Sequence, residues 1–476
     1  MRMTDNTNND FNRVLNTWDV IMVAFGAMIG WGWVVSSGQW IQTGGVIGTV
    51  IGFIIGGIMI YLVGLTYAEL TAAMPKCGGA QNFSYAAFGV KGSYICTWTL
   101  ALSYIGVVCF EACSFATIIQ YIIPGFLQGY LYTVAGYDVY LSWVLVAVFA
   151  SALITYINFL GTKTAARLQN VLTSIIAGVG ILLVVGSVFS GNMSNLESQP
   201  FVGNDGNSVI ANILRVAIMT PFFLFGFDVI PQAAEEINVP LKRLGRLMIL
   251  SIGMAVVFYT MIVMAIGYVM TPLQVSQSMS ESGMVTADAI AVAFSNEAMT
   301  KVLIIGGLCG IVTTWNSFLM GGSRVLFSMS KARMLPGILA KLHSKYNTPY
   351  ISILFLGSLS MIAPFFGRVM LVWIVDAANF ACCLAYCIVA LSFVKLRKSR
   401  PDIKRPFHVS NGLLVGTLAS MMAGFMAIMY VIPGTNYSFV WQEWVIVGGW
   451  LAIGALLALR AVKTYGDNFC SGMDSL

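Results

Sequence analysis

The sequence predicts an all-α polytopic membrane protein of about 12 transmembrane helices. Three observations predict it. Hydrophobic residues make up 58% of the 476 and charged residues only 9%, too few charges to keep the surface of a soluble domain in water. The apolar residues gather in roughly twelve stretches, each near the ~20 residues needed to cross the hydrocarbon core. Lysines and arginines fall almost wholly in alternate connections between those stretches, as they do when alternate loops face the cytoplasm.

The first five stretches lie near 17–40, 44–70, 92–123, 139–160 and 165–190. The next five lie near 209–235, 245–270, 300–323, 348–366 and 369–394, and two more near 411–433 and 442–462. The polar N-terminus runs into the first without a cleavable signal. With that terminus inside, Arg2, Arg13, Lys76, Lys91, Lys163 and Arg167 are cytoplasmic, as are Lys242, Arg243 and Arg246. The later inside clusters are Arg324 to Lys345, Lys395 to Arg405, and Arg460 with Lys463; only Arg215, Lys301 and Arg368 fall elsewhere. Both termini are therefore expected in the cytoplasm, in the plasma membrane. The net charge of +6 reads as this topology signal and not as a nucleic-acid footprint.

None of the nine cysteines sits in an outer connection, so no disulfide framework is expected; Cys77 and Cys470 face the reducing side. Cys109 and Cys113 share a helix face without a histidine nearby, and His343 and His408 both lie in cytoplasmic loops. No metal site, no cofactor and no enzyme chemistry are expected.

No segment has room for a soluble domain, so residues 1–476 read as one membrane domain. The outer segments 191–208 and 271–299 are polar, the second with a short amphipathic stretch, and 328–347 is expected along the cytoplasmic membrane surface. The spans divide into a repeat over about 17–190 and a second over about 209–394, five spans each, with peripheral helices over about 411–462. Five is odd, so the second set inserts upside down relative to the first. Gly48, Gly52 and Gly56 recur every four residues in span two, a ridge that lets a neighbouring backbone approach.

The first span of each set is interrupted. Gly26-Ala27-Met28-Ile29-Gly30-Trp31-Gly32 breaks one, and Phe225-Gly226-Phe227-Asp228, followed by Pro231, breaks the other. Backbone freed at mid-membrane costs several kcal/mol per unpaired group, so it persists only where it lines a cavity or a polar ligand. Paired breaks are the sequence-level pointer to a carrier's binding site. Where the first helix restarts, the amides of Gly30, Trp31 and Gly32 suit a carboxylate. Where the first half-helix of the second broken span ends near Phe225-Gly226, freed carbonyls suit an ammonium or a cation. Together they bind both ends of a zwitterion, which favours amino acids over sugars or simple ions. Ala27 and Ile29 complete the first wall, and Phe222, Phe223, Phe225 and Phe227 surround the second break, either occluding a ligand or packing.

Each intramembrane acid is costly and calls for a role. Asp228 follows the second break and either couples transport to a proton or organises the unwound turn. Glu111 either attracts a cationic group, senses protons, or is a neutral hydrogen-bonded acid. Glu235 and Glu236 are expected to pair with Lys242, Arg243 or Arg246 in a gate or a structural network.

At these residues the chain resembles the amino acid–polyamine–organocation transporter superfamily, of the twelve-span amino acid permease type. The resemblance rests on Gly26 to Gly32 with Gly44-Gly45, and on Tyr67-Ala68-Glu69-Leu70 with Pro75, Gly78-Gly79 and Tyr85. It rests also on Gly226-Phe227-Asp228 with Ala234-Glu235-Glu236 and Pro240, and on Asn316 with Gly322 to Phe327 and Leu335-Pro336. It implies a LeuT-like five-plus-five inverted-repeat fold, alternating access, carboxylate binding at Gly30 to Gly32, and amino-group binding near Phe225 and Phe227. In arginine–agmatine antiporters of the superfamily an aromatic stacks on the substrate, and Phe222 matches that position; a proton-coupling glutamate there falls on Asp228. Two departures stand out. Trp31 stands where a small residue is usual, and Ile176, after Thr173 and Ser174, stands where many relatives carry a lysine in place of a sodium ion. Sodium coupling through Thr313 or Thr314 and the first break, proton coupling, or exchange are the routes this leaves, with Asn316 a further coupling or gating residue.

The expectation is a secondary amino acid transporter, permease or exchanger, working as a monomer or homodimer on a small-molecule substrate. A polyamine or other organic-amine antiporter is the alternative. A channel or a non-transporting sensor lacks a repeated filter motif or an appended cytoplasmic module here.

Overall fold

The computed structural model describes residues 11–203, 208–368, 370–434 and 438–466, so Arg2 and Cys470 lie outside the described residues. Helices α1 (Thr17–Met28), α2 (Gly32–Val35) and α3 (Ser37–Gly44) follow one another across the first interruption. Then come α4 (Val46–Ala73), α5 (Gly79–Ile122), a hairpin of β1 (Tyr130–Val134) and β2 (Tyr137–Tyr140), α6 (Leu141–Phe159), α7 (Thr162–Ser190) and the short α8 (Met193–Ser198). The second interruption separates α9 (Val209–Phe223) from α10 (Val229–Gln232), and α11 (Leu241–Val269) follows. Two short helices, α12 (Pro272–Glu281) and α13 (Val285–Phe294), lead to α14 (Ala298–Lys331) and α15 (Tyr350–Ile362). The chain closes with α16 (Met370–Ser399), α17 (Gly412–Val431) and α18 (Trp441–Tyr465).

The chain is an all-α polytopic membrane protein. Among the described residues ten helical segments are long and apolar enough to cross a membrane, with Thr17–Val35 counted as one. The sixth and ninth expected stretches fall on shorter helices, α9 of 15 residues and α15 of 13. α9 is short because its helix stops at the second break, where Pro221 removes one amide from the ladder. α5 starts well before the expected 92 and turns at Gly89, whose φ of 68° an L-residue adopts only with strain. The β-hairpin has no counterpart in the sequence reading.

Packing follows the glycines. A methyl group at Gly52 would lie 2.7 Å from Val216, and one at Gly56 would lie 2.5 Å from Thr220 and 2.8 Å from the Ala217 carbonyl oxygen. The ridge on α4 is therefore what brings α9, bearer of the second break, against the bundle.

Apart from Arg215, Lys301 and Arg368, the basic clusters belong to one end of the bundle, where arginines meet two buried acids. There Arg397 binds the buried Glu69 carboxylate through two guanidinium nitrogens, Arg405 lies 3.1 Å from it, and the Val409 amide donates to it at 2.7 Å. Arg324 donates to Glu236 at 2.7 Å and to the Thr162 hydroxyl at 2.7 Å, and Thr162 in turn donates to Glu236. This corrects the expectation for Glu236, whose partner is an arginine on α14 and not one of the basic residues on α11.

Candidate functional site

The two interrupted elements run antiparallel and touch at their breaks. At the basic end, the amides of Val14 and Leu15 donate to the Glu236 carbonyl at 2.9 and 3.0 Å, and Asn238 N–H returns a bond to Leu15. At the other end, the Val202 amide donates to the Gly44 carbonyl, and Asn212 donates to the Val202 carbonyl. Between them, Gly226 has φ 124°, and a methyl group there would lie 2.7 Å from Cβ of Ala27 and 2.9 Å from its carbonyl carbon. Only glycine permits both the conformation and the contact.

In the first break, the last backbone bond of α1 is Ile29 N–H to Phe25 O at 3.1 Å, and Ile29 leaves the helix with ψ 55°. Two carbonyls freed there find side-chain donors: Tyr259 donates to Met28 O at 2.9 Å and Thr314 to Ala27 O at 3.3 Å. α14 comes close because Gly310 has no side chain; a methyl would lie 2.6 Å from the Gly30 carbonyl oxygen. In the second break, α9 ends with Leu224 N–H to Pro221 O at 3.0 Å, and the chain restarts through Val229 N–H to Gly226 O. Among the described residues, the carbonyls of Phe222 to Phe225 receive no backbone amide. Each break thus supplies what helix geometry dictates, unpaired amides at a restart and unpaired carbonyls at a stop.

A cavity of about 120 Å³ lies against both. Ala27, Gly30, Trp31, Gly32, Phe222, Phe225, Glu111 and Thr314, all expected from the sequence, line it. Ile29, Gly226, Phe227, Asp228, Thr313 and Asn316 do not. Ile29 is fully buried, and Gly226 packs on Ala27 behind the wall. Phe227 packs edge-on to Tyr67 with centroids 5.5 Å apart. The Thr313 hydroxyl donates to Gly310 O on its own helix. Asn316 ties three helices together, donating to Gln169 and Ala165 and accepting from Asn158 at 2.8 Å. Asp228 is buried and accepts from Tyr104 at 2.9 Å and Tyr386 at 2.7 Å, so its carboxyl group holds α5 and α16 to the second break.

Glu111 differs from the other acids. It is 3% exposed, it lines the cavity, and its Oε2 has no hydrogen-bond partner. Its Oε1 would lie 3.8 Å from a methyl at Gly30. Trp31 is accommodated by a reciprocal deletion, since a methyl at Gly307 would lie 2.0 Å from the indole. Residues that the sequence reading missed include Tyr259, Phe110, Phe318 and Asn379. Asn379, a buried amide inside an apolar span, carried the legible signal.

Residues 15–456 match the amino acid permease family. The chain is 26% identical over 457 residues to the methylthioribose transporter of Bacillus subtilis (strain 168), covering 94% of this chain and 92% of that protein. It is 26% identical over 432 residues to the branched-chain amino acid permease BcaP of the same organism, covering 87% and 88%. It is 24% identical over 452 residues to the large neutral amino acids transporter small subunit 2 of Mus musculus, covering 93% and 78%. These relatives are transporters and not enzymes. The paired glycine breaks, the cavity between them and a match over nearly the whole chain agree: the chain belongs to the amino acid permease family, within the amino acid–polyamine–organocation superfamily.

Proposed function

We propose that the chain is a secondary active transporter of small, neutral, mostly apolar amino acids, working by alternating access in the plasma membrane with both termini in the cytoplasm. The observation that carries this reading is the meeting of two oppositely directed helix breaks at one cavity. The substrate carboxylate lies on the amides of Gly30 to Gly32, and its ammonium group faces the carbonyls that end α9. The cavity, at about 120 Å³, is slightly smaller than a cavity of roughly 150 Å³ that holds benzene, so side chains of modest size fit. Val35, Val107, Phe110, Phe318 and Val375 line it, which favours an apolar side chain. The inverted repeats over about 17–190 and 209–394 supply the symmetry for opening to either side. The basic clusters at one end support its cytoplasmic placement. Glu111, unpartnered and buried beside Gly30, is the group placed to couple the cycle to a proton or to a cation.

The test is uptake of labelled alanine, valine and leucine by purified protein in liposomes, under proton, sodium or counter-substrate gradients. Saturable uptake or exchange of at least one is expected. The same panel includes an alkyl diamine and methylthioribose, the cargo in the name of one relative. Movement of only the diamine or only the thioether sugar replaces the amino acid reading, and a conductance far above carrier turnover replaces the carrier.

The Trp31 indole sets the size of that cavity from the α14 side. Gly307→Ala places a methyl where the indole now lies and drives the ring toward the substrate. Uptake is expected to fall at least about tenfold, equivalent to roughly 1.4 kcal/mol. Trp31→Ser in the same chain restores it and shifts preference toward larger side chains. Unchanged uptake in Gly307→Ala would show that the indole does not bound the substrate.

A further inference from the structure

A second cavity, of about 220 Å³, lies between α3, α9, α16 and α17. Phe222, Phe223 and Phe225 line both it and the central cavity, so these rings form the partition between the two. The far side of the partition has a different chemistry. Asp376 lines it, Gln39 and Asn379 are beside it, and no lysine, arginine or histidine is among the lining residues.

Two observations at this place point to a ligand. The Asp376 carboxyl lies close enough to the Glu443 carboxyl for the two to interact, and Glu443 is 3% exposed and accepts from the Val440 amide at 2.9 Å. Two neighbouring carboxylates repel one another, and a cation set against them relieves the repulsion. Independently, Asn379 is 6% exposed and has no hydrogen-bond partner among the described residues. It stands three positions after Asp376 on α16, hence on the same face, and it lines both cavities. Its amide lines the cavity, so a donor entering the crevice finds an acceptor there that no other side chain occupies.

We propose that this crevice is a second binding site, specific for an alkylammonium group, separated from the central cavity by Phe222, Phe223 and Phe225. The ammonium lies against Asp376, held in place by Glu443, and donates a further N–H to the Asn379 side-chain oxygen. The alkyl chain rests on Phe222, Trp40 and Met426. The site needs no carboxylate on its ligand, so it is independent of the central amino acid site and is occupied by simple amines.

The experiment uses the full chain purified in detergent, with n-propylammonium chloride as probe and potassium chloride and sodium propionate as controls. Propylammonium, and neither control, is expected to raise the unfolding temperature saturably. The same probe is expected to slow thiol modification of Cys383, which lines the crevice, read by mass spectrometry of its peptide. Asp376→Asn weakens the effect at least about tenfold and Asn379→Leu by a smaller factor, whereas Glu111→Gln, in the central cavity, retains it. An equal effect in Asp376→Asn overturns the proposal, and so does loss in Glu111→Gln alone, which would place the amine in the central cavity. Should Asp376→Asn fail to fold, protection of Cys383 in the unmodified chain decides, and its absence overturns the proposal. Because the probe cannot be an amino acid substrate, failure here leaves the transport reading untouched, and failure of amino acid uptake leaves this site untouched.

Discussion

Replacing Gly226 by alanine is expected to abolish substrate binding and transport. Two costs coincide at this residue. Its φ of 124° lies where an L-residue is strained by about 1–3 kcal/mol. Its added methyl would lie 2.7 Å from Cβ of Ala27, 2.9 Å from the Ala27 carbonyl carbon and 3.0 Å from its oxygen. Two of those three atoms are backbone, so no rotamer change relieves the clash, and such overpacking costs a further ~1–3 kcal/mol. The relief available is to part the two breaks, which separates the amides of the first from the carbonyls of the second. A loss of at least about 2.7 kcal/mol, or a hundredfold in affinity, is expected. Binding by scintillation proximity on purified protein measures it. Gly253→Ala on α11 is the control, because a methyl there meets nothing within 4 Å. Binding within threefold of wild type in Gly226→Ala would show that the contact between the breaks does not build the site.

Much of this arrangement was legible because membranes impose simple rules. A span needs a long apolar run, so most of the spans were legible, and a glycine-interrupted run at mid-depth has few explanations, so Ala27, Gly30 and Phe225 were legible as positions that line a cavity. What stayed hidden depends on partners far away in the chain. Glu236 was expected to pair with bases a few residues on, yet its partner Arg324 is 88 residues away. The companion of Trp31 is Gly307, and a missing side chain carries no signal of which neighbour fills its place. Gly89 turns α5 in a stretch too mixed to read as either span or loop. Asp228 could be weighed between proton carrier and organiser from sequence alone; the two tyrosines that hold it come from α5 and α16, and their convergence is tertiary. Phe227 stands beside the second break, where occlusion and packing were both open, and Asn316 belongs to a family motif; their side chains serve packing and helix ties away from the cavity.

Removing Arg324 is expected to destabilise the chain and open its basic end. Arg324 and Glu236 are each buried, and the pair is completed by Thr162, so every charge is met by a hydrogen bond. Arg324→Met leaves the Glu236 carboxylate without its cation, a change that costs about 3–5 kcal/mol when the site is dry. Arg324→Met with Glu236→Gln removes the stranded charge, so the double variant is expected to recover most of the thermal stability. It does not recover the tie. Glu236 belongs to the segment that follows the second break, and its carbonyl still receives Val14 and Leu15, but the guanidinium that held this segment to α14 is gone. Cys77 reports the difference, since its thiol lies 3.9 Å from the Arg324 carbonyl, on a connection outside the spans. Burial, reinforced by Glu235 and Glu236, pushes this thiol well above the ordinary range and leaves it unreactive at neutral pH. In the double variant, water reaches the thiol and removes the larger cause, so its modification by a membrane-impermeant reagent is expected to accelerate at least about tenfold at pH 8. The sign with pH is fixed by the thiolate: the variant's rate rises through the usual thiol range near ~8.5, while the wild-type rate stays low until higher pH. Mass spectrometry of the peptide carrying Cys77 separates it from the other thiols. Equal rates in the two chains, with stability restored, would reduce the Arg324 network to a fold-stabilising tie and remove it from the gate.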